Sequence, residues 1–346
     1  MRALTISAHG GLDQIEYHTD LLIPDPQPGW VRVRVRACAL NHLDLWVVRG
    51  IPGVTITPKW ILGSDATGVI DALGAEIPAR YPLKAGDRVV VNPGFAIGED
   101  EYTRRGDEPL SPSFRVLGEH VPGSFAEYVC VPARNVRVIP ESIRDDVAAA
   151  YTLSTLTAWR MCVSRAQVRE GDDVLIWGIG GGVAQASLAI CKARGARVWV
   201  TSSSDAKLAR ARELGADETL NHNVVDVGRE VRARTNKRGV TVVIDSVGTA
   251  TWTKSLTALG RGGRLVTCGG TSGEVVQTDV RRLFWNQWSL LGSTMGSEAE
   301  FDAVTAQLTA GLLTAVVDSC VPLNQGREAF ARMDRGQQFG KLVLTT

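Results

Sequence analysis

The stretch that decides the fold runs from Val174 to Thr201 and reads VLIWGIGGGVAQASLAICKARGARVWVT. A short apolar run leads into a glycine-rich turn, a helical pattern follows, and a second apolar run closes the stretch. Strands that alternate with helices are typical of βαβ units, whose strands form a parallel sheet. The alternation continues downstream through VTVVIDSVG and GRLVTCGG. The sequence therefore predicts an α/β fold with a doubly wound parallel sheet.

The glycine turn has the chemistry of a dinucleotide-binding site. Glycines let the backbone approach a pyrophosphate closely, and the free N–H groups at the start of the next helix stabilise its negative charge. A strand before the turn and a helix after it favour this interpretation, which places Gly181, Gly182 and Val183 at the phosphates. Ala184 stands where the motif usually has its last glycine, a change that is tolerated where helix and strand pack less closely.

The end of the second strand indicates which coenzyme is bound. Proteins that bind NAD usually have an acidic residue here, which accepts hydrogen bonds from the ribose hydroxyls. This chain has Ser202 and Ser203, followed by Lys207, a set that favours the 2′-phosphate of NADP(H) over NAD(H). Two alternatives stay open. Asp205 could reach the ribose instead, and Ser203 and Ser204 could serve only to cap the next helix.

Length, charge and cysteine spacing exclude several classes of protein. The 346 residues are enough for two domains, and 38 Lys and Arg against 37 Asp and Glu predict no binding to nucleic acid. Val174–Cys191 lacks charge and is long enough to span a membrane, but its glycines favour a strand, a turn and a helix, so we expect no membrane contact. Six scattered cysteines without a C-x-x-C pair indicate neither a disulfide framework nor a compact zinc site, and we expect a cytoplasmic protein.

The regions around the βαβ segment have a different character. Valine and arginine alternate from Trp30 to Ala37, which predicts a strand with one buried face. The polar, turn-rich segment Asn92–Leu117 predicts a projecting loop or lobe, with disorder as the alternative. Near the C-terminus, helices are expected around Phe301–Ala310 and Gln325–Met333, before a strand KLVLTT. The pattern alone does not show which domain these elements join.

Three segments carry a resemblance to a known family: RACALNHLDLWVVRG, LGSDATGVI and GEHVPGSFAEYV. With the βαβ core, they resemble the medium-chain dehydrogenase/reductase superfamily over essentially the whole chain. The resemblance implies a GroES-like, β-rich catalytic domain formed by residues 1–146 and 296–346, and a Rossmann cofactor domain formed by residues 147–295. It also implies that the C-terminal segment returns to the catalytic domain.

The sequence departs from the zinc-dependent alcohol dehydrogenases of that superfamily at their ligand positions. Asn41, Ser64 and Leu153 fall where those enzymes hold the catalytic zinc. The four cysteines of their structural zinc site fall near Ile97, Asp100, Thr103 and Ser111. These side chains are poor zinc ligands, so we expect no zinc. The alternative is an atypical metal group made of Cys38, His42 and His120.

The resemblance also assigns site residues. It implies that Asn41 lies beside the nicotinamide and binds a substrate carbonyl, that His42 contacts the pyrophosphate, and that His42 or Asp44 could supply a proton. The carboxylates of Asp44 and Asp65 could equally bond only to loop backbone. The further cofactor contacts that the resemblance implies are Thr157, His222, Ser246, Val247, Cys268, Gly269, Gly270, Ser293, Thr294, Met295 and Lys341.

The pattern is similar to the zinc-free quinone oxidoreductase and enone or enoyl reductase branches. It implies an NADPH-dependent enzyme that transfers hydride to a quinone or an α,β-unsaturated carbonyl. One alternative is an alcohol or aldehyde dehydrogenase with an atypical metal or none. Another is a cofactor-binding structural or regulatory protein with little catalysis. The family resemblance further implies a homodimer, or a tetramer.

Overall fold

The computed structural model describes residues 1–346, which form two compact units. One unit comprises residues 1–154 and 296–346, and the other comprises residues 155–295. The first boundary therefore lies at residue 154 rather than at the expected residue 146, inside the helix Asp145–Trp159. None of the helices combines the length and the apolar character needed to cross a membrane.

The N-terminal part of the first unit is mainly β. Its elements are β1 (Ala3–Ile6), β2 (Glu16–His18), β3 (Trp30–Ala39), α1 (His42–Arg49), β4 (Trp60–Ile61), β5 (Asp65–Leu73), β6 (Arg88–Val91), β7 (Gly94–Ala96), α2 (Glu101–Arg104), β8 (Phe114–Val116), β9 (Tyr128–Pro132), β10 (Val136–Val138) and α3 (Asp145–Trp159). The alternating segment forms β3, whose valines are buried, so that prediction is confirmed. The predicted lobe is ordered, because β7 and β8 pair in it, and the disorder alternative is wrong.

The second unit is the predicted doubly wound sheet. A π-helical segment, Arg160–Arg165, is followed by β11 (Asp173–Ile176), α4 (Gly182–Ala193), β12 (Arg197–Ser202), α5 (Asp205–Glu213), β13 (Glu218–Asn221), α6 (Val227–Arg234), β14 (Val240–Asp245), α7 (Trp252–Ala258), β15 (Leu259–Thr267), α8 (Val280–Asn286) and β16 (Ser289–Gly292). All neighbouring strands are parallel, in the order β13-β12-β11-β14-β15-β16. In such a sheet, ligands bind at the carboxyl ends of the strands on either side of the point where the order reverses, here between β11 and β14.

The C-terminal segment returns to the first unit. It consists of α9 (Glu298–Thr309), β17 (Val317–Pro322), α10 (Gly326–Asp334) and β18 (Lys341–Thr345). The main sheet of this unit has the order β10-β6-β5-β3-β18-β17, with β9 also paired to β3. Strand β18 thus inserts between β17 and β3, which places the first residue of β18, Lys341, close to the end of β3.

Candidate active site

A buried carboxylate, Asp65, is the centre of a hydrogen-bonded cluster in the first unit. Its side chain is fully buried at the start of β5. Oδ1 accepts hydrogen bonds from Thr152 Oγ1 at 2.5 Å and from the Leu153 backbone N–H at 2.7 Å. Oδ2 accepts from Asn41 Nδ2 at 2.9 Å and from Lys341 Nζ at 2.8 Å. Four donors therefore occupy a carboxylate that offers about four lone-pair sites.

Lys341 neutralises this carboxylate. The residue is only 5% exposed, and its ammonium also donates to Asn41 Oδ1 at 2.5 Å. The structure shows Lys341 bonded to Asp65 and Asn41, and the expected contact with the pyrophosphate stays a prediction. The cause of these two contacts is the insertion of β18 beside β3, because Leu40, the residue before Asn41, is hydrogen-bonded through its N–H to the Leu342 carbonyl.

The carboxamide of Asn41 is engaged at both ends. Nδ2 donates to Asp65 and, at 3.4 Å, to the Ala39 carbonyl, while Oδ1 accepts from Lys341. No donor of Asn41 is left over for a substrate carbonyl in this arrangement, which corrects the role expected for this residue. Asn41 instead precedes α1 as its N-cap, and its backbone N–H donates to Asp44 Oδ2 at 2.7 Å.

The two other expected catalytic residues differ in their access to water. Asp44 is 1% exposed, and burial raises the pKa of its carboxyl group to about 7, against the opposing effects of the Asn41 N–H and the Lys341 charge. Its bond to the start of α1 supports the structural alternative for this residue. His42 is exposed, but partial removal from bulk water and the Lys341 ammonium lower the pKa of its imidazole. His42 is therefore mainly neutral at pH 7.

The residues at the zinc positions do not fit a zinc ion. The Asn41 carboxamide is hydrogen-bonded to Asp65 and Lys341. The Ser64 hydroxyl donates to the Leu117 carbonyl at 2.8 Å, and Leu153 contributes only its backbone N–H to the cluster. Zinc in proteins is held by thiolate, imidazole or carboxylate groups in a tetrahedral set. No three His, Cys, Asp or Glu side chains form a group that could hold a metal, so the alternative group of Cys38, His42 and His120 is not brought together.

At the positions that correspond to the structural zinc site, hydrogen bonds connect Asp100, Thr103 and Ser111. Asp100 caps α2, because Oδ1 accepts from the backbone N–H groups of Tyr102 and Thr103, both at 2.9 Å. Oδ2 accepts from the Ser111 hydroxyl at 2.5 Å. The Thr103 hydroxyl accepts from the Asp100 N–H at 2.8 Å. Three of the four positions, all but Ile97, therefore form one cluster within the lobe.

The second unit contains the predicted dinucleotide turn. Gly178 follows β11 with a φ of 69°, a conformation that favours glycine, and its N–H donates to Thr201 Oγ1 at 3.1 Å. Gly181 is the N-cap of α4 and has no side chain to occupy the first N–H groups of that helix. Gly182 and Val183 form the first helical residues. Helix N-termini of this kind bind phosphates, and the assignment of Gly181, Gly182 and Val183 to the pyrophosphate stays a prediction.

Several predicted cofactor residues carry a buried polar atom without a partner. These atoms are Thr157 Oγ1, Ser293 Oγ and His222 Nδ1. The His222 ring lies 6.2 Å from that of Trp177, and its backbone N–H donates to the Ser202 carbonyl. Buried polar groups are rarely left unpaired, so these atoms fit a bound nicotinamide dinucleotide that would satisfy them.

The remaining predicted residues lie at or just beyond the carboxyl ends of strands. Ser246 and Val247 follow β14, Cys268–Gly270 follow β15, and Ser293–Met295 follow β16. At the end of β12, Ser202 Oγ accepts from the Ser204 N–H, while Ser203 is exposed and Lys207 lies in the first turn of α5.

One residue of this edge was missed. Asp245, fully buried at the end of β14, accepts from the backbone N–H groups of Val247 and Gly248 and from the hydroxyls of Thr251 and Ser255. The sequence signal that could have identified Asp245 is its position directly after the apolar run VTVVI, at the end of a predicted strand.

Comparison with known proteins agrees with this architecture. Residues 27–141 match the family model of the alcohol dehydrogenase GroES-like domain, and residues 182–310 match that of the zinc-binding dehydrogenases. A zinc-type alcohol dehydrogenase-like protein, YogA, of Leptosphaeria maculans is 31% identical over 97% of this chain and 96% of its own length. Human quinone oxidoreductase is 27% identical over 99% of this chain and 97% of its own.

A solved structure described as an NAD-dependent alcohol dehydrogenase is 39% identical to this chain. It has a TM-score of 0.93, with 100% of both chains covered. Sequence, fold and cofactor-binding geometry agree, and the chain belongs to the medium-chain dehydrogenase/reductase superfamily of oxidoreductases.

Proposed function

We propose that this protein is an NADPH-dependent oxidoreductase that transfers hydride to a quinone or an α,β-unsaturated carbonyl without a catalytic zinc ion. The observation that carries the proposal is the cluster around Asp65. At the zinc positions, Asn41 is hydrogen-bonded to Asp65 and Lys341, the Ser64 hydroxyl is bonded to a backbone carbonyl, and the Leu153 side chain has no ligand atom. In the zinc-dependent alcohol dehydrogenases a Lewis acid stabilises the alkoxide near neutral pH, whereas reduction of an electron-poor acceptor does not require one.

NADPH, when bound, supplies the hydride. The protein's own part is to bind and orient: Gly181, Gly182 and Val183 would hold the pyrophosphate, and Thr157 and Ser293 would bond polar groups of the nicotinamide half. Since Asn41 is committed to the cluster, it would shape the pocket rather than bind the acceptor oxygen. The proton would come from water, because His42 is mainly neutral and Asp44 is buried. Cofactors carry the redox chemistry in such enzymes, and the protein supplies positioning.

The preference for NADPH over NADH rests on the end of β12. The end of this strand has no acidic side chain, and Ser202 and Ser203 provide small hydroxyl groups there. The structure also bears on the two alternatives, since Ser204 caps α5 through a bond from the Lys207 N–H, and Asp205 accepts a hydrogen bond from Asn221. Ser204 therefore accounts for the capping role, and Ser203 stays available for a 2′-phosphate.

A panel of acceptors tests the proposal. NADPH oxidation should be fast with a naphthoquinone or a short-chain enone, and a chelator such as EDTA or 1,10-phenanthroline should not inhibit it. Elemental analysis of the purified protein should find zinc well below one atom per chain. Alcohol-dependent reduction of NAD⁺ that a chelator abolishes, together with stoichiometric zinc, would show that the proposal is wrong.

The second candidate is an alcohol dehydrogenase, which is favoured by the 39% identity to the NAD-dependent alcohol dehydrogenase structure. The same panel, run in the oxidative direction with both coenzymes, separates the two candidates. A cytoplasmic location remains a proposal that rests on the scattered cysteines, and a homodimer or tetramer remains one that rests on the family resemblance. Light scattering of the purified protein measures the assembly.

A further inference from the structure

The one carboxylate near the proposed 2′-phosphate site is held by a neighbouring amide. Asp205 is the first residue of α5, and Asn221 is the last residue of β13. Asn221 Nδ2 donates to Asp205 Oδ1 at 2.7 Å. In the parallel pairing of β12 and β13, Asn221 lies directly opposite Ser202, so this contact is at the edge where the adenosine ribose would lie.

Asn221 is itself fixed in orientation. Its Oδ1 accepts a hydrogen bond from the Asn223 backbone N–H at 3.0 Å, which forms a turn stabilised by the side chain. The Asn221 carbonyl also accepts from the N–H groups of Val224 and Val225. With Oδ1 anchored on one side, Nδ2 points at Asp205. The chain thus uses one carboxamide to fix the orientation of the Asp205 carboxylate.

We propose that Asn221 determines coenzyme specificity by holding Asp205 away from the ribose. A carboxylate that selects NAD(H) must turn an oxygen toward the ribose 2′-hydroxyl, and the bond from Asn221 turns the carboxylate of Asp205 toward β13 instead. Held in this way, Asp205 adds nothing to the affinity for NADH, while the hydroxyl groups of Ser202 and Ser203 can bind a 2′-phosphate. The inference rests on the proposed function, since it concerns the same nicotinamide dinucleotide site.

Coenzyme titration of four variants tests the inference. Dissociation constants for NADPH and NADH are measured with the purified protein by tryptophan fluorescence or calorimetry, without substrate. In Asn221→Ala, the freed Asp205 should bind NADH about three- to tenfold more tightly, as expected for one net hydrogen bond in a solvent-exposed site, and NADPH more weakly. Asp205→Asn should leave NADH affinity unchanged, because the ribose does not use Asp205 in the wild type.

The double variant and the control make the test specific. Asn221→Ala combined with Asp205→Asn should lose the gain in NADH affinity, because the gain depends on the carboxylate. Asn223→Ala keeps the backbone N–H that anchors Asn221, and it should bind both coenzymes as the wild type does. A ratio of the two dissociation constants within twofold of wild type in Asn221→Ala would overturn the inference. A loss of NADH affinity in the single variant Asp205→Asn would also overturn it, because the ribose would then use Asp205 in the wild type.

The outcome for the wild type tests a different statement. Tighter binding of NADH than NADPH by the unchanged protein would overturn the proposed coenzyme preference. Even then, Asn221→Ala could shift the ratio of the two dissociation constants, and adding Asp205→Asn could cancel that shift. This result would establish that Asn221 restrains Asp205, whichever coenzyme the wild type prefers. Circular dichroism and the melting temperature confirm that each variant is folded before titration.

Discussion

Replacing Lys341 by methionine should destabilise the first unit by about 3 kcal/mol at pH 7. The substitution keeps most of the side-chain volume but removes the ammonium that pairs with Asp65 and bonds Asn41. Removing one partner of a buried ion pair costs about 3 to 5 kcal/mol, because the other charge stays buried. The lower end applies here, since three donors to the Asp65 carboxylate would remain.

The measurement is equilibrium urea unfolding followed by circular dichroism, with hydrogen exchange of the Leu153 amide as a local readout. That amide donates to Asp65, so its protection should fall in Lys341→Met. Adding Asp65→Asn should recover much of the loss, because a neutral amide replaces the uncompensated charge. A loss below about 1 kcal/mol in Lys341→Met would refute the reasoning, since a buried unpaired carboxylate cannot be that inexpensive.

Three further predictions concern other groups. Burial raises the pKa of Asp44 to about 7, so the contribution of this residue to stability falls as the pH rises from about 4 to 7. Asp44→Asn should lack this loss, and its stability relative to wild type should grow by about 1 kcal/mol per pH unit in that window and level off above it, as measured by urea unfolding at several pH values. Asp100→Ala should make the lobe more sensitive to limited proteolysis, because α2 loses its N-terminal cap. Asp100→Asn keeps an oxygen for the two backbone N–H groups and should resist cleavage as the wild type does. Equal cleavage of both variants would contradict this prediction. A disulfide reagent should modify the exposed Cys320 first, while Cys162 and Cys191, which are buried with the pKa of Cys191 raised by its hydrogen bond to Cys162 and by burial, should react only on unfolding; rapid reaction of more than one thiol in the native state would contradict this.

Local patterns in the sequence predicted the second unit well. The run around Gly178 combines short apolar strands, a glycine turn and a helical period, all within about 30 residues, and such features need no distant partner to be recognised. The β11 strand and the α4 helix lie where the pattern placed them, and the six strands form the parallel sheet that the alternation predicted.

The cluster around Asp65 could not be predicted in the same way. Asp65 was noted only as a carboxylate near the expected centre, and Lys341 was assigned to a phosphate. The Asp65 carboxylate has four partners from three places in the chain, which only the tertiary fold brings together: Asn41, the adjacent Thr152 and Leu153, and Lys341. The family resemblance indicated which positions matter. It could not show that Asn41 would use both ends of its carboxamide on its neighbours.

The insertion of β18 beside β3 has a consequence for how the protein is made. Cys38 and Leu344, which lie opposite each other in these strands, are 306 residues apart in the chain. At roughly 5 to 20 residues per second, about 15 to 60 s of synthesis separate them on the ribosome. Throughout that time the end of β3 has no partner on one side and is open to pairing with other chains. The polar cluster is therefore among the last parts of the molecule to form, and the growing chain depends on protection of this edge until Lys341 arrives.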